Sequence, residues 1–385
     1  MSRHVTLLVS DLSSSGAGRW DGVRVFRLKQ AIEALGHSVE VVGFTFGELT
    51  LEGVTAIAAP DYPKFLQSAS RLLSQIRGDI IYAIKPKVSS FGVALWQKWR
   101  DRRPVILDID DWELSWHGGD RNQYQPTPKQ FARDLFKSGG ALRQPDHPVY
   151  LRWLEKQVQR ADAITVHTRF LQHRFGGIYV PNGKDVTLFD PDRYDSAACR
   201  DRYGLSSYRT LIFPGAPRPY KGVEDLLMAI AQLNWPDLRL VIVGGSPYDD
   251  YDAQLMHQWG RWIVKLPKLP YAEMPAIVAA ADIVAVPQRN TPAAQAQFPL
   301  KLTDGMAMAK PILATQVGDM PEILGDTGFL VEPDAPDRLA AAIDWIFAHP
   351  TEAKQRGINA RSRCCQHYSI EAMSAALAPL LNALA

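Results

Sequence analysis

Apolar and polar positions at the start of the chain follow two different periods. Residues 5–9 form a short apolar run, and residues 38–44 form a second run that alternates and is β-branched. Between them, apolar residues recur every three or four positions, which predicts a helix that Gly36 ends. Strand, helix and strand in this order make a βαβ unit, which requires a parallel sheet. The apolar positions of the predicted helix are Val25, Leu28, Ile32 and Leu35.

The pattern continues with strands predicted at 79–83, 105–109 and 163–167, and it then starts again near residue 210. A strand at 210–213 is followed by a Gly/Pro loop, an amphipathic helix and further apolar runs. The sequence therefore predicts an α/β protein of two Rossmann-like, doubly wound parallel-sheet domains that face each other across a cleft. Ligands of such sheets bind beyond the carboxyl ends of the strands.

Domain boundaries are predicted from the breaks in this pattern. The segment around Pro181, Asn182 and Gly183 interrupts regular structure, so the connection between the domains is placed there. We expect a first domain at 1–185 and a second domain at 190–365. The apolar stripe near the end predicts a helix at 366–385 that packs back on the first domain.

Residues 112–150 match neither sheet and are longer than a connection between strand and helix needs. The segment is polar and aromatic and carries several Lys and Arg residues. Two interpretations are open. It is either a helical addition to the domain, or an element that binds the acceptor or touches a membrane.

Charge narrows the range of partners. The chain has 385 residues and a formal net charge of +2, and its first 200 residues hold 27 Lys and Arg against 22 Asp and Glu. This excess is too dispersed for a nucleic-acid-binding protein, but it permits a peripheral contact with a membrane. The three cysteines have no metal-ligand spacing, and no run has the length of a membrane span. A cytoplasmic protein is expected.

The loop 215–222 is the first candidate for chemistry. It begins at Gly215, and Lys221 stands at the start of a predicted helix with Arg218 three residues earlier. Free N–H groups at a helix start and two cations together favour a diphosphate. Preplaced cations would also stabilise the charge that grows on a departing phosphate. The alternative is a turn that only starts the helix.

The second candidate is the segment 296–311, where Phe298 and Pro299 precede a predicted helix. Backbone N–H groups near Leu300 and Lys301 are expected to meet a phosphate. Asp304 lies about one turn later, where a carboxylate can accept hydrogen bonds from ribose hydroxyls. A solvated aspartate on a helix is the alternative.

Five segments follow one another in a recognisable order and spacing: PGAPRPYKGVEDLLMAI, RLVIVGGSP, ADIVAVP, FPLKLTDGMAMAKPILAT and GDMPEILGDTGFLVEPD. Together they resemble the donor domain of family 4 glycosyltransferases, which are retaining enzymes with the GT-B fold. The likeness is good from residue 160 to residue 385. It implies that the domain at 190–365 binds the donor and that the domain at 1–185 is the acceptor-side domain.

The resemblance implies roles for individual residues. Lys221 matches the lysine that contacts the donor diphosphate, whereas the family arginine falls at Ala216, so Arg218 is expected to substitute for it. The paired glutamates of the family, separated by seven residues, correspond to Ala296 and Asp304. The missing first acid affects the choice of donor sugar. The remaining residues that the resemblance places against the donor are Gly245, Ser246 and Leu269.

In the first domain, LDIDDWELSWHGG follows a predicted strand and matches the place where the family carries a His or Asp near the transferring sugar. Asp110 and Asp111 are the available acids, and mutual repulsion should raise the pKa of one of them. A turn of acids before the next segment is the alternative. Gly16 and Gly18 would let the backbone approach the diphosphate.

The resemblance therefore implies an enzyme, a metal-independent retaining glycosyltransferase without a cofactor. It would move a hexose-type sugar from a nucleotide diphosphate sugar to a glycan, lipid or small-molecule acceptor. Two alternatives remain. The chain could be another GT-B enzyme, such as a sugar-nucleotide epimerase, or a non-catalytic protein that binds a sugar nucleotide, as Ala216 and Ala296 suggest.

Overall fold

The computed structural model describes residues 2–13, 22–49, 51–246 and 249–384. Gly16 and Gly18 lie outside the described residues. The chain divides into two units, one of Met1–Gly183 with Met373–Ala385 and the other of Lys184–Ala372.

The first unit contains a sheet of seven described strands in the order β3-β2-β1-β4-β5-β6-β7, and all neighbours run parallel. Two central strands, β4 and β5, are buried at every position, as parallel strands covered on both faces must be. The strands are β1 (His4–Val9), β2 (Ser38–Thr45), β3 (Thr55–Ala58), β4 (Ile80–Ile84), β5 (Val105–Ile109), β6 (Ala163–Val166) and β7 (Ile178–Tyr179).

Helices connect these strands. Between β5 and β6 the chain forms two helices and several short 3₁₀ turns and adds no strand to the sheet, so the segment 112–150 is helical where it is regular. The helices are α1 (Gly22–Ala34), α2 (Lys64–Leu73), α3 (Val93–Asp101), α4 (Pro128–Phe136), α5 (Pro148–Glu155) and α6 (Arg169–Phe175).

A buried ion pair joins α1 to the sheet. The Arg24 guanidinium donates to both carboxylate oxygens of Asp108 on β5, at 3.0 and 2.8 Å. It also donates to the carbonyls of Val180 and Pro181, at 3.1 and 3.0 Å. A buried charge is tolerated only when it is paired and hydrogen-bonded. These contacts therefore explain why the otherwise apolar strand β5 can contain Asp108.

The second unit contains a sheet of six described strands in the order β10-β9-β8-β11-β12-β13, again parallel. Successive residues of β8 point to opposite faces: Leu211 and Phe213 join the core cluster under α8, and Ile212 joins the cluster under α12. The strands are β8 (Arg209–Pro214), β9 (Leu238–Val243), β10 (Ile263–Leu266), β11 (Ile283–Val286), β12 (Ile312–Thr315) and β13 (Phe329–Val331).

The last helix, α16, begins in the second unit and ends in the first. Within the first unit the Ser374 hydroxyl donates to the carbonyl of Ala31 on α1, at 3.0 Å. The helices from residue 184 onward are α7 (Ser196–Arg202), α8 (Val223–Leu233), α9 (Tyr251–Trp259), α10 (Met274–Ala279), α11 (Pro292–Ala296), α12 (Leu300–Ala307), α13 (Met320–Leu324), α14 (Pro336–Ala348), α15 (Pro350–His367) and α16 (Ile370–Ala383).

The predicted fold class is confirmed, because each unit is a Rossmann-like parallel sheet with helices. The strands β3, β7 and β13 were not predicted. They are two to four residues long and partly exposed, so they lack the buried apolar run that marked the others. Within the described residues, no helix combines the length and apolar character that a membrane crossing requires.

Candidate functional site

The loop between β8 and α8 lies at the point where the strand order of the second sheet reverses, between β8 and β11. It contains a 3₁₀ turn at Pro219–Lys221, and Gly222 then turns the chain into α8 with a positive φ of 66°. A reversal of strand order leaves a crevice at the carboxyl ends of the two strands. The loop predicted from the sequence is thus in the position where such sheets bind ligands.

Lys221 is held against its own loop. Its ammonium group donates to the carbonyl of Ala216, at 3.0 Å. Burial, together with the charges of Lys301 and Arg218, lowers the pKa of Lys221 well below its usual value. Like charges that crowd a buried group disfavour its protonated form, and a bound anion would reverse that effect.

Lys301, from the first turn of α12, contributes a second cation to this loop. Its Nζ lies 4.7 Å from the centre of the Phe213 ring. It also lies 3.7 Å from the point where a β-carbon on Gly215 would stand, so the Lys301 side chain packs beside the start of this loop. Burial lowers the pKa of Lys301 to about 8. We use the name cation cluster for Lys221, Lys301 and Arg218.

The structure corrects one detail of the prediction for this segment. The N–H of Leu300 donates to the carbonyl of Phe298 at 3.0 Å, so the expectation of a free N–H group at Leu300 is wrong. The Phe298 side chain is buried in the core and its ring lies 6.2 Å from that of Tyr368. The Lys301 side chain reaches the loop 215–222, whereas the prediction considered only the backbone of this residue.

Asp304 is a buried member of an ion pair. Its carboxylate accepts a hydrogen bond from the ammonium group of Lys184, and both side chains are largely shielded from water. The alternative of a solvated helix aspartate is therefore wrong. Lys184 was not singled out from the sequence, because it precedes Asp304 by 120 residues. Ala296, at the place of the family's first acid, is completely buried on α11.

The other predicted donor residues of the second unit follow the strands β9 and β10. Gly245 comes just after β9, and a β-carbon there would lie 2.6 Å from a carboxylate oxygen of Asp252. Asp252 is ion-paired with Lys265 on β10, and the backbone of the predicted donor residue Ser246 contributes a hydrogen bond that lowers the pKa of Asp252. Leu269 is half-buried and packs against the core, as leucines commonly do.

In the first unit, charged side chains gather at the carboxyl ends of β4 and β5. The Asp110 carboxylate lies 3.9 Å from the ammonium group of Lys85, and Asp111 accepts a hydrogen bond from the Trp116 indole at 2.9 Å. Lys85 directly follows β4 and has a positive φ of 72°, which is strained for a residue other than glycine. The expectation of mutual repulsion between the acids overlooked this lysine.

Glu113 completes this group, which we call the β4–β5 charge group (Lys85, Lys87, Asp110, Asp111 and Glu113). Glu113 pairs with Lys85 at 2.8 Å and with Lys87 at 3.0 Å. Burial alone would raise its pKa, but the two ammonium groups outweigh burial and lower the pKa of Glu113 to about 2. The sequence signal that was missed is the Lys-Pro-Lys run immediately after a buried strand.

No group of three or more His, Cys, Asp or Glu side chains in the described ranges is arranged to hold a metal ion.

Residues 208–349 match the family described as glycosyl transferases group 1. This range contains the whole cation cluster and Asp304. This part of the second unit therefore resembles a glycosyltransferase domain. The predicted enzyme class is confirmed by this match and by the relatives of the chain.

Two relatives align with more of the chain than the residues 208–349 that match the family. A GDP-mannose-dependent alpha-(1-6)-phosphatidylinositol monomannoside mannosyltransferase from Mycolicibacterium smegmatis is 29% identical over 251 residues, covering 61% of this chain and 66% of that enzyme. The match thus spans just under two thirds of that relative's length. A D-inositol 3-phosphate glycosyltransferase from Mycolicibacterium gilvum is 26% identical over 366 residues, covering 88% of this chain and 80% of that enzyme.

The likeness in fold to solved structures extends over nearly the whole chain. A crystal structure of the Anabaena protein HepE in complex with UDP and glucose aligns with a TM-score of 0.76 and 18% identity, over 99% of this chain and 100% of that one. Similarity at this level of identity shows the fold, which is the GT-B fold that the resemblance implied.

Gly222→Ala is expected to destabilise the second unit. An alanine at a positive φ costs about 1–3 kcal/mol. In addition, the new β-carbon would lie 1.7 Å from the carbonyl oxygen of Pro287, so the loop before α8 must move. Chemical denaturation would measure the loss of stability.

The matched control is Gly204→Ala. Gly204 has a similar φ of 68°, but a β-carbon there would have no neighbour within 4 Å. Backbone strain is therefore common to both variants, and the clash is present only at Gly222. Equal losses in the two variants would contradict a special role for the contact with Pro287.

Proposed function

We propose that this protein transfers a sugar from a nucleoside diphosphate donor, and that the cation cluster of Lys221, Lys301 and Arg218 binds the diphosphate. The observation that carries the proposal is the close approach of two half-buried lysine side chains, with an arginine near, at the carboxyl end of β8. Protonated amines in this setting repel each other, and a diphosphate would neutralise them.

The same cations suit the chemistry of the transfer. When the bond between sugar and diphosphate breaks, negative charge grows on the leaving phosphate. Cations fixed in place before the reaction stabilise that charge without reorganisation. We assign this role to Lys221 and Lys301, with Lys301 taking the position of the family arginine that Ala216 does not supply. The buried side chain of Lys301 next to Gly215 supports this assignment.

Asp304 is proposed to bind the ribose of the donor, as the resemblance implies. One of its oxygens already accepts a hydrogen bond from the Lys184 ammonium group, which fixes the orientation of the carboxylate. The other oxygen would accept the ribose hydroxyl. For the first unit, we propose that Asp110 and Asp111 contact the transferring sugar or the acceptor. The support for this is their place in the β4–β5 charge group.

We further propose that the transfer retains the configuration of the sugar and requires neither a metal ion nor a cofactor. In such a reaction the leaving diphosphate itself accepts the proton of the acceptor hydroxyl on the same face of the sugar. The family resemblance supports retention, and the cation cluster supplies positive charge in the place where other enzymes use a divalent cation.

The relatives suggest substrates to test. One is named for GDP-mannose and a phosphatidylinositol mannoside, and the other for inositol 3-phosphate. GDP-mannose is therefore the first donor, with UDP-glucose and ADP-glucose beside it. Inositol 3-phosphate and phosphatidylinositol are the first acceptors.

The proposal is tested in two steps on the full chain. The first step measures thermal stability with UDP, GDP and ADP, each with and without EDTA. A ligand at a hundred times its Kd stabilises by about 2.7 kcal/mol, which a melting curve detects. The second step follows the donor anomeric proton by NMR during turnover. Stabilisation that EDTA removes would contradict metal independence, and an inverted product would contradict retention.

A non-catalytic nucleotide-binding protein is the second candidate, and the buried Ala296 at the place of the first family acid favours it. Such a protein would be stabilised by a nucleoside diphosphate but would release no nucleotide from any donor, with or without an acceptor. Nucleotide release above that of the Lys221→Met variant would rule it out.

Diphosphate affinity is expected to fall as the pH rises through about 8, because Lys301, whose pKa burial lowers to about 8, then loses its charge. Bound diphosphate favours the protonated lysine, so binding should take up protons near this pH. Isothermal titration in buffers of different ionisation enthalpy measures that uptake. Lys301→Met should reduce both effects, and Lys221, whose pKa is also lowered, should account for the remainder. A wild-type affinity that is constant across this range would disprove the assignment.

A further inference from the structure

Helix α4 of the first unit turns its apolar side to the solvent. The helix is well formed at its start, where Thr127 and Gln130 exchange side-chain and backbone hydrogen bonds in a capping box. All nine residues of α4 are described, and only Asp134 among them is buried. An amphipathic helix on a globular protein normally buries its apolar face, so the orientation of α4 is reversed.

The apolar residues of α4 form one continuous arc. At about 3.6 residues per turn, Pro128, Phe131, Ala132, Leu135 and Phe136 share one side of the helix. Their exposure is large: 47% for Phe131, 38% for Leu135 and 76% for Phe136. Exposed aromatic groups gathered on one surface indicate a binding site.

Basic residues border this arc on one side. Lys129, Arg133 and Lys137 follow each other at intervals of four residues, so they form a strip along the helix next to the apolar arc. Arg133 pairs with Asp134, whereas Lys129 and Lys137 have no ion-pair partner in the described parts of the chain. We use the name lipid face for the apolar arc together with this basic strip.

Polar contacts fix α4 in this orientation. The Tyr124 hydroxyl donates to the buried carboxylate of Asp134, at 2.9 Å. At the other end, the Arg143 guanidinium donates to the carbonyls of Phe136 and Tyr62, at 3.4 and 2.9 Å. Leu66, four residues after Tyr62 on α2, is itself 52% exposed. The polar side of the helix is therefore the attached side.

We propose that the lipid face of α4 binds the surface of a bilayer that contains anionic lipids. An apolar arc with aromatic side chains, bordered by lysine and arginine, is the pattern of helices that lie in the plane of a membrane interface. The bordering cations distinguish this surface from an ordinary protein-binding face, because they match the negative headgroups beside the acyl region. The inference does not depend on the proposed transfer reaction.

The test is co-sedimentation of the full chain with vesicles of phosphatidylcholine alone and of equimolar phosphatidylcholine and phosphatidylglycerol. The wild type should sediment with the anionic vesicles only. Each lysine near an anionic surface contributes about fivefold to binding, so Lys129→Glu/Lys137→Glu should bind at least about 25-fold more weakly. Phe131→Ser/Phe136→Ser should also lose binding. Added salt should weaken the binding of the wild type.

Matched controls separate the lipid face from general surface effects. Lys156→Glu/Lys354→Glu makes the same change in net charge at exposed lysines outside the lipid face, and Trp99→Ser removes an aromatic side chain that is 80% exposed on α3. Both controls should sediment like the wild type. Circular dichroism and thermal melting of all variants establish that they fold.

Three outcomes would overturn the proposal. The wild type could stay in solution with both vesicle types, or the α4 variants could sediment as the controls do. The lipid face could instead join two copies of the chain. In that case sedimentation velocity without lipid would show a dimer that Phe131→Ser/Phe136→Ser dissociates.

Discussion

Lys221→Met is expected to lower kcat for sugar transfer by about a hundredfold to a thousandfold, the usual effect of removing one group that stabilises developing charge. Methionine keeps most of the volume of the lysine side chain and removes its charge. Because burial and the neighbouring cations already disfavour the protonated lysine, the variant should melt no lower than the wild type. Loss of activity without loss of stability is typical of a residue that serves function.

The matched control for this variant is Lys310→Met. Lys310 is also a buried lysine of the second unit, its ammonium group donates to the carbonyl of Ala279 at 2.6 Å, and burial lowers its pKa to about 8. It precedes β12 and so lies at the amino ends of the strands, whereas the cation cluster lies at their carboxyl ends. Its replacement should leave kcat unchanged. Equal turnover in Lys221→Met and in the wild type would refute the role of Lys221.

The second large effect concerns the ion pair of Lys184 and Asp304. Asp304→Ala leaves the buried Lys184 ammonium without its carboxylate partner, and breaking a buried pair in this way costs about 3–5 kcal/mol of stability. Lys184 also lies 4.1 Å from the centre of the Phe189 ring, which compensates only a small part of that cost. Denaturant unfolding of the variant measures the loss.

The double variant Lys184→Met/Asp304→Ala separates stability from donor binding. Removal of both charges should restore most of the lost stability, since a buried pair replaced by apolar groups is often neutral. If Asp304 also binds the ribose, donor affinity should stay low in the double variant. Recovery of both stability and donor affinity would show that Asp304 acts only as the partner of Lys184.

More of the fold than of the site could be predicted from the sequence. The strand predicted at 105–109 coincides with β5, because an apolar run in a parallel sheet needs no information from elsewhere in the chain. Local spacing likewise placed Lys221 and Arg218 in one loop. The short strand β7 has two residues, and only its pairing with β6 defines it.

Contacts between distant residues could not be predicted from spacing. The partner of Asp304 is 120 residues away, and the ammonium group of Lys301 meets Lys221 only because β8 and α12 are neighbours in the folded unit. In the same way, the acids Asp110 and Asp111 were recognised from the sequence, but their neighbour Lys85 was not, because it follows the adjacent strand β4. The partners of these charged residues could therefore be identified only in the structure.

The ion pair of Lys184 and Asp304 determines which residues a separately expressed fragment of the second unit must contain. The family match begins at residue 208 and ends at residue 349. A fragment cut at those limits would lack Lys184 and would leave Asp304 buried without its partner. It would also lack Tyr368, whose carbonyl accepts the N–H of Lys184 at 2.7 Å. The fragment should therefore begin no later than residue 184 and end beyond residue 370.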